Sequence, residues 1–437
     1  MKTYLILFLL IFSSILFMYC TKTDQVVSSS SSSSSNLLSY KTTTAPIIDG
    51  TVDAIWGKAT KLQIVPTVPD PGNSLFSGYI GDSYPATMRS MYDDQYIYFL
   101  IEYADTSKSV NVEPWYFDTP SSSWQQESNT RSYDANGILT RDGWGEDKIA
   151  FQWNIDFSTP KFITQTCYAS CHVFTPYVDY SVTPAVMNSN ASDGNHYTNG
   201  VNEKIDMWWA HLGRDLIFNQ MDDNYQDWIG GPGVTSLVGG QGNGRHVDDI
   251  TVSGTSPDWP YRPSYTKSAP QGAHSNVQTL NLDGTGASVT VPNWIMPGAS
   301  NYYYILATDT LPGGKAVKIT GVSSTGILTY KGGSIDPTTN ADYQRHGDAI
   351  YGGVGPKSFP GYIASPLLGG RADINCSAVY TGSGWVIEIK RKLKTADVLK
   401  QDIDFTSLQD QQFGFAIWNK SDNQHGIQPN LLLHFQK

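Results

Sequence analysis

The sequence predicts a mainly β fold, a sandwich of the immunoglobulin-like kind with long loop insertions and one short helix. Three observations support this. Short aromatic or β-branched runs bounded by Gly, Pro, Asp or Asn recur along the chain, at 96–103, 148–155, 287–291, 302–308, 385–389 and 412–418, and such runs suit a pleated, half-buried surface. Forty glycines and 23 prolines fit many turns and decorated loops. Only one stretch has helical periodicity. No repeat recurs at fixed spacing, and 437 residues with 40% hydrophobic content supply a large core.

In chain order, residues 1–20 read as an export signal. Lys2 supplies a positive charge, Tyr4 to Met18 is nearly all apolar, and the run stops at Cys20. It is short for a membrane span. Because it ends at a cysteine and not at a small-x-small site, it resembles a bacterial lipoprotein signal, which implies a lipidated Cys20; an ordinary secretory signal is the alternative. Residues 21–44 form a polar stretch with an unbroken serine run from Ser28 to Ser35, expected to be a flexible tether. Lipid on Cys20 would then hold the protein on a periplasmic or cell-surface membrane. One folded domain is expected over 45–437, with insertions at about 160–230 and 230–272.

The periodicity predicts a helix over Glu203 to Asn219, where Ile205, Trp208, Trp209, Leu212 and Leu216 recur at roughly helical spacing behind Asn202 as N-cap. Residues 230–272 are too rich in Gly and Pro to fold alone, and long connections of this kind tend to be functional.

Charge narrows the partners. A net charge of −11 and a pI near 5.1, with no cluster of Lys or Arg, exclude the electrostatic footprint of a nucleic-acid-binding protein. Four cysteines remain to be explained: Cys20, Cys167, Cys171 and Cys376. If Cys20 is lipidated and Cys167 acts with Cys171, Cys376 is left as a buried free thiol.

Cys167 and Cys171 stand in the string Cys-Tyr-Ala-Ser-Cys-His, which ends at His172. Covalent haem attachment needs two thiols to add to the vinyl groups and an adjacent imidazole to ligate iron. This string is one residue longer than the usual C-x-x-C-H. A disulfide in an oxidising compartment and a zinc site are the competing uses of the pair. Distal iron ligands near the motif are Met187, His196, Met207, His211 and Met221. Met187 and His211 flank the same insertion and are preferred, and on a helix His211 would share a face with Trp208.

Several stretches resemble one family. Ile47 to Leu62 (IIDGTVDAIWGKATKL) resembles an opening shared with family 9 carbohydrate-binding modules, consistent with a sandwich like theirs. Gly145 to Asp156 (GEDKIAFQWNID), CYASCHV, Asn202 to Arg214 (NEKIDMWWAHLGR), Met221 to Asp227 (MDDNYQD), GWVIEIKRKLKTAD and FGFAIWNKSDNQHG follow in order. Together they resemble the haem-binding subunits of ethylbenzene dehydrogenase and dimethylsulfide dehydrogenase, also described as cytochrome c-552/DMSO reductase-like haem-binding domains. Where relatives that hold haem non-covalently use a Met and a Lys as ligands, this chain has Gln152 and His211, and Trp209 falls on the family's histidine.

The resemblance implies an exported, lipid-anchored c-type cytochrome that transfers electrons through one haem c, in partnership with a redox protein such as a molybdenum oxidoreductase subunit. Cys167 and Cys171 would form the thioethers, His172 would be the proximal ligand, Trp208 and Trp209 would wall the haem, and Met187 or His211 would close the far side, Met187 being slightly preferred. The rival class is a haem-free surface lipoprotein that binds carbohydrate on aromatic side chains. No paired nucleophile and base emerges, so the expectation is a protein that is not itself an enzyme. Acidic pairs such as Asp222-Asp223 and Asp248-Asp249 read as solvated loops or cation-tolerant turns.

Overall fold

The computed structural model describes residues 35–70, 76–170, 177–179, 186–188, 198, 202–227, 245–248, 272–299, 303–337, 359–397 and 400–437, with 177–179, 186–188 and 245–246 described by backbone alone. Its organising element is a ring of antiparallel strands closed by one parallel strand. In chain order these are β1 (Asn36–Lys41), β2 (Ala86–Tyr92), β3 (Tyr96–Ala104), β4 (Glu146–Asn154) and β5 (Ile205–His211). The rest are β6 (Gln220–Gln226), β7 (Ile374–Tyr380), β8 (Gly384–Lys392), β9 (Gln411–Ser421) and β10 (Gly426–Phe435). Around the ring the order is β1-β10-β9-β4-β5-β6-β7-β8-β3-β2, and β1 closes it by pairing in parallel with both β10 and β2. Closure removes the two open edges that a sandwich would otherwise have to protect.

The mainly β expectation therefore holds, with two corrections to local elements. First, part of the presumed tether is structural. Leu37 and Ser39 alternate inwards from β1, Leu37 is fully buried, and the Ser39 and Ser90 hydroxyls meet at 2.8 Å. Two inward positions and two strand partners are enough to order a segment whose composition is polar. Second, residues 203–219 are not a helix. They form β5 and the turn before β6, with Trp208 opposite Asp223 and Phe151, and Trp209 opposite Asp222 and Ala150. Both faces of β5 are covered, so its apolar residues lack strict alternation, and their chance fit to helical spacing misleads. The short helix near the cysteines is instead α1 (Phe162–Gln165).

Inside the ring, Phe99, Ile149, Phe151, Trp153, Trp208, Ile387, Phe405 and Phe413 belong to one buried apolar cluster. A second cluster, around Trp115, Phe117, Trp124, Ile295 and Phe359, packs the smaller hairpins of the long connections. The opening Ile47 to Trp56 is clamped by Glu388 of β8, which accepts from the Asp49 and Gly50 amides at 3.1 and 2.9 Å and from Trp56 Nε1 at 2.8 Å. Gly50 has a φ of +83°, and a Cβ there would come within 2.6 Å of Val379 Cγ2, so the turn requires glycine. Cys376 is fully buried and its thiol is free, as the cysteine count implied. Among the described residues no helix is long and apolar enough to cross a membrane.

Candidate functional site

β4 is buried along its whole length. Since neighbouring residues on a strand face opposite ways, its inner side gives Ile149, Phe151 and Trp153 to the core, while Lys148, Ala150, Gln152 and Asn154 lie outside the ring beneath the segment that follows the strand. Asn154 fixes that segment's first turn, accepting from the Thr159 amide at 2.9 Å and donating to the Thr159 carbonyl at 3.0 Å. α1 then buries Phe162 against Ala169 and Ile205. Thr166 has a φ of +43°, strained for a β-branched residue, and its hydroxyl accepts from the Asn430 amide at 3.0 Å.

This bend sets Cys167 against β9. It is 6% exposed and clusters with Ala150, Ala416, Trp418 and Ile427, with Tyr168 and Trp209 packed alongside. The strand beneath it is Gly414, where an added Cβ would lie 3.2 Å from Cys167 Cβ and 3.4 Å from its Sγ. Only the absence of a side chain at 414 lets the cysteine sit so close. Cys20, Cys171, His172 and His196 lie outside the described residues. Met187 lies in the short strand Val186–Asn188, paired with Tyr177–Asp179, and is described by backbone alone.

The two tryptophans of β5 separate. Trp209 is on the Cys167 side, whereas Trp208 faces inwards and packs against Trp153 at 5.2 Å, Phe151 at 5.7 Å and Phe99 at 6.0 Å between ring centroids. The expectation that both wall one site is corrected for Trp208, and so is the face it was to share with His211, because a strand sends 208 and 211 to opposite sides. Met221 likewise points into the core. Met207 is on the outer side, with its sulfur 3.7 Å from Gln226 Nε2, and Gln226 in turn accepts from Gln152 at 3.5 Å.

His211 stands at the edge of this outer face. Its ring stacks on Trp209 at 4.7 Å, Trp209 stacks on Trp418 at 5.6 Å, and Trp418 stacks on His425 at 4.1 Å. Lys148 Nζ lies 5.8 Å from each tryptophan ring and donates to the Asp422 carbonyl at 2.7 Å. His211 Nδ1 is 2.7 Å from Asp215 Oδ2, which leaves Nε2 as the nitrogen for a ligand. Burial and the nearby Arg214 hold the imidazole well below its ordinary pKa, and burial pushes Asp215 up to about 6. Arg214 is itself committed to Glu146 through Nε at 2.6 Å, and Arg371 grips Asp222 through Nε at 2.7 Å.

Sequence reasoning missed Trp418, His425 and Lys148. The available signal was parity: Trp418 shares the outward side of β9 with Gly414 and Ala416, and a large aromatic at such a position needs a covering partner. Ser170 Oγ, Asn224 Nδ2 and Trp418 Nε1 are buried on this side without a hydrogen-bond partner. A face with a seated thiol, an oriented imidazole, stacked indoles and such polar atoms fits a large planar group of mixed polarity like a porphyrin.

No curated protein matches the chain significantly. Two solved structures of a family 9 carbohydrate-binding module from Caldicellulosiruptor kristjanssonii align at 8% identity. The glucose complex covers 92% of this chain and 95% of that one at a TM-score of 0.24. The cellotriose complex covers 92% and 93% at 0.25. At these TM-scores too little geometry is shared to bear on what this molecule does. The family model described as ethylbenzene dehydrogenase matches residues 53–309, which include β2 to β6, Cys167 and His211. That match corrects the expectation of a protein that is not itself an enzyme, since it points to an enzyme-related family. With well over half of its residues matched, this chain belongs to the ethylbenzene dehydrogenase family.

Proposed function

We propose that the protein is an exported, lipid-anchored, haem-carrying member of this family, a c-type cytochrome that passes electrons to or from a redox partner such as a molybdenum oxidoreductase subunit. Haem, when bound, supplies one-electron oxidation and reduction of its iron. The chain's own residues hold and shield it. Cys167 and Cys171 provide the thioethers and His172 the proximal nitrogen, while Cys20 carries the lipid. Of the two distal candidates, Met187 and His211, the geometry favours His211, because Asp215 fixes its ring and leaves Nε2 for the metal. Trp209 and Trp418 exclude water beside Cys167, and a drier, less polar surround tunes the potential of such a centre.

The observation that carries the reading is the seat of Cys167 on Gly414, beside stacked indoles, within the family-matched stretch. Expression of the full chain in a host that matures c-type cytochromes tests it. The protein is expected to stay red after acid-acetone extraction. A colourless protein with a Cys167-Cys171 disulfide contradicts the reading, and glycan binding by such a protein would favour the carbohydrate-binding rival.

A further inference from the structure

Of the acidic pairs that the sequence assigns to solvated loops or cation-tolerant turns, Asp222, Asp223 and Asp248 are buried, and Asp249 lies outside the described residues. Asp222 and Asp223 lie on β6, and Asp223 is fully buried, as is Asp206 on β5; Asp248 is 2% exposed and Asp402 8%. Asp206, Asp223, Asp248 and Asp402 surround a single guanidinium, that of Arg391 on β8, itself 1% exposed and 5.0 Å above the Trp208 ring. Arg391 lies 3.0 Å from Asp402 Oδ1, 3.2 Å from Asp206 Oδ2 and 3.5 Å from Asp223 Oδ2, and it donates to the Ile403 carbonyl at 3.0 Å. Were all four carboxyls ionised, one arginine would leave an excess of buried negative charge that water could not relieve.

Among the described residues Asp105 Oδ2 is also without a partner, but two other buried acids are satisfied by donors. Asp147 accepts from the Ser109 amide, Trp385 Nε1 and the Lys420 amide at 2.9, 3.0 and 3.1 Å, and Glu388 likewise has three donors. Asp223 differs. Fully buried and directed at the cluster, it accepts no hydrogen bond at either oxygen, and neither Asp206 Oδ1 nor Asp248 Oδ1 has a donor. Buried carboxylate oxygens without donors are rare in folded proteins, and coordination to a cation satisfies them as a donor would.

One carboxylate oxygen from each of Asp206, Asp223 and Asp402 lies within 4.8 Å of the other two, a spread that oxygen ligands around a single hard cation can span. We propose that Asp206, Asp223 and Asp402 bind a divalent cation, calcium in preference to magnesium, which ties β5 and β6 to the segment after β8. The preference follows from chemistry: the donors are all carboxylate, and calcium tolerates irregular all-protein cages where magnesium keeps its water. With two charges from the cation and one from Arg391, a single excess negative charge remains.

Metal analysis of the purified full chain, followed by thermal unfolding after chelation with and without added calcium, tests this. Close to one equivalent of calcium is expected, with a Tm lower by on the order of 5 °C after chelation and restored by calcium. Asp223→Asn is expected to lose both the metal and the calcium response. Manganese or magnesium in stoichiometric amount would support the site but overturn the preference for calcium. Less than a tenth of an equivalent of any divalent metal, together with a Tm indifferent to calcium, overturns the proposal. In that case protons neutralise the carboxylates, and Asp223→Asn raises Tm. The wild-type measurements decide alone if the variant does not fold.

Discussion

Two of the segments that cover the outside of the ring are built differently. Over β2, β3 and β8 the cover is the segment around Trp56, whose ring packs on Met91, Tyr98 and Leu100 while its N–H donates to Glu388. Apolar surface meets apolar surface, and the indole N–H and the Tyr98 hydroxyl are both paired. Over β4, β5 and β9 the cover is α1 and the turn bearing Cys167. It lies on Ala150, Trp209, Ala416 and Trp418, beside an aspartate-held histidine and the buried polar atoms Ser170 Oγ, Asn224 Nδ2 and Trp418 Nε1, which have no hydrogen-bond partner. The first arrangement completes a core. The second costs stability unless another group joins it.

The contrast can be broken by substitution. The largest effect is expected from Cys167→Ser combined with Cys171→Ser, which removes all haem resistant to acid-acetone and, because the face then lacks the group that joins it, lowers the urea midpoint; haem staining of denaturing gels reads the first and far-UV circular dichroism the second. Trp56→Ala, on the other cover, is expected to cost about 3–5 kcal/mol of unfolding free energy with haem content per folded molecule unchanged. A fall in that content would show that the two covers are coupled. Smaller still, Gly414→Ala forces a methyl against Cys167 and is expected to cost about 1–3 kcal/mol and also to lower haem incorporation. Least of all, Glu388→Gln weakens the clamp on the Trp56 segment by about 1 kcal/mol, visible as a lower urea midpoint at unchanged slope.

Much of the ring was legible in the sequence because most of its strands have one covered face and therefore alternate or carry dense aromatic runs. The stretches 96–103, 148–155, 385–389 and 412–418 all fall in or across ring strands. What was hidden follows from burial on both sides. β5 carries Trp208 and Trp209 side by side because the core takes one and the outer cover the other, a pattern that looks helical when only spacing is read. Asp206 and Asp223 were hidden for a related reason: composition suggests solvent, and only the fold reveals that both point inwards at Arg391. β1 was hidden because its order comes from two strand partners far away in sequence. At the candidate site the cysteines, Trp209 and His211 were legible as residue types, but their grouping was not. It depends on β9, whose Gly414 and Trp418 lie more than two hundred residues beyond Cys167.

The central claim is that the outer face of β4, β5 and β9 carries a haem bound through Cys167 and Cys171. A pyridine haemochrome spectrum of the purified full chain tests this most directly, since the position of its α-band distinguishes haem with thioether bonds from haem with free vinyl groups. The account predicts one haem per chain with the thioether-type band. A protein without haem, or one whose band is that of vinyl haem, would contradict it.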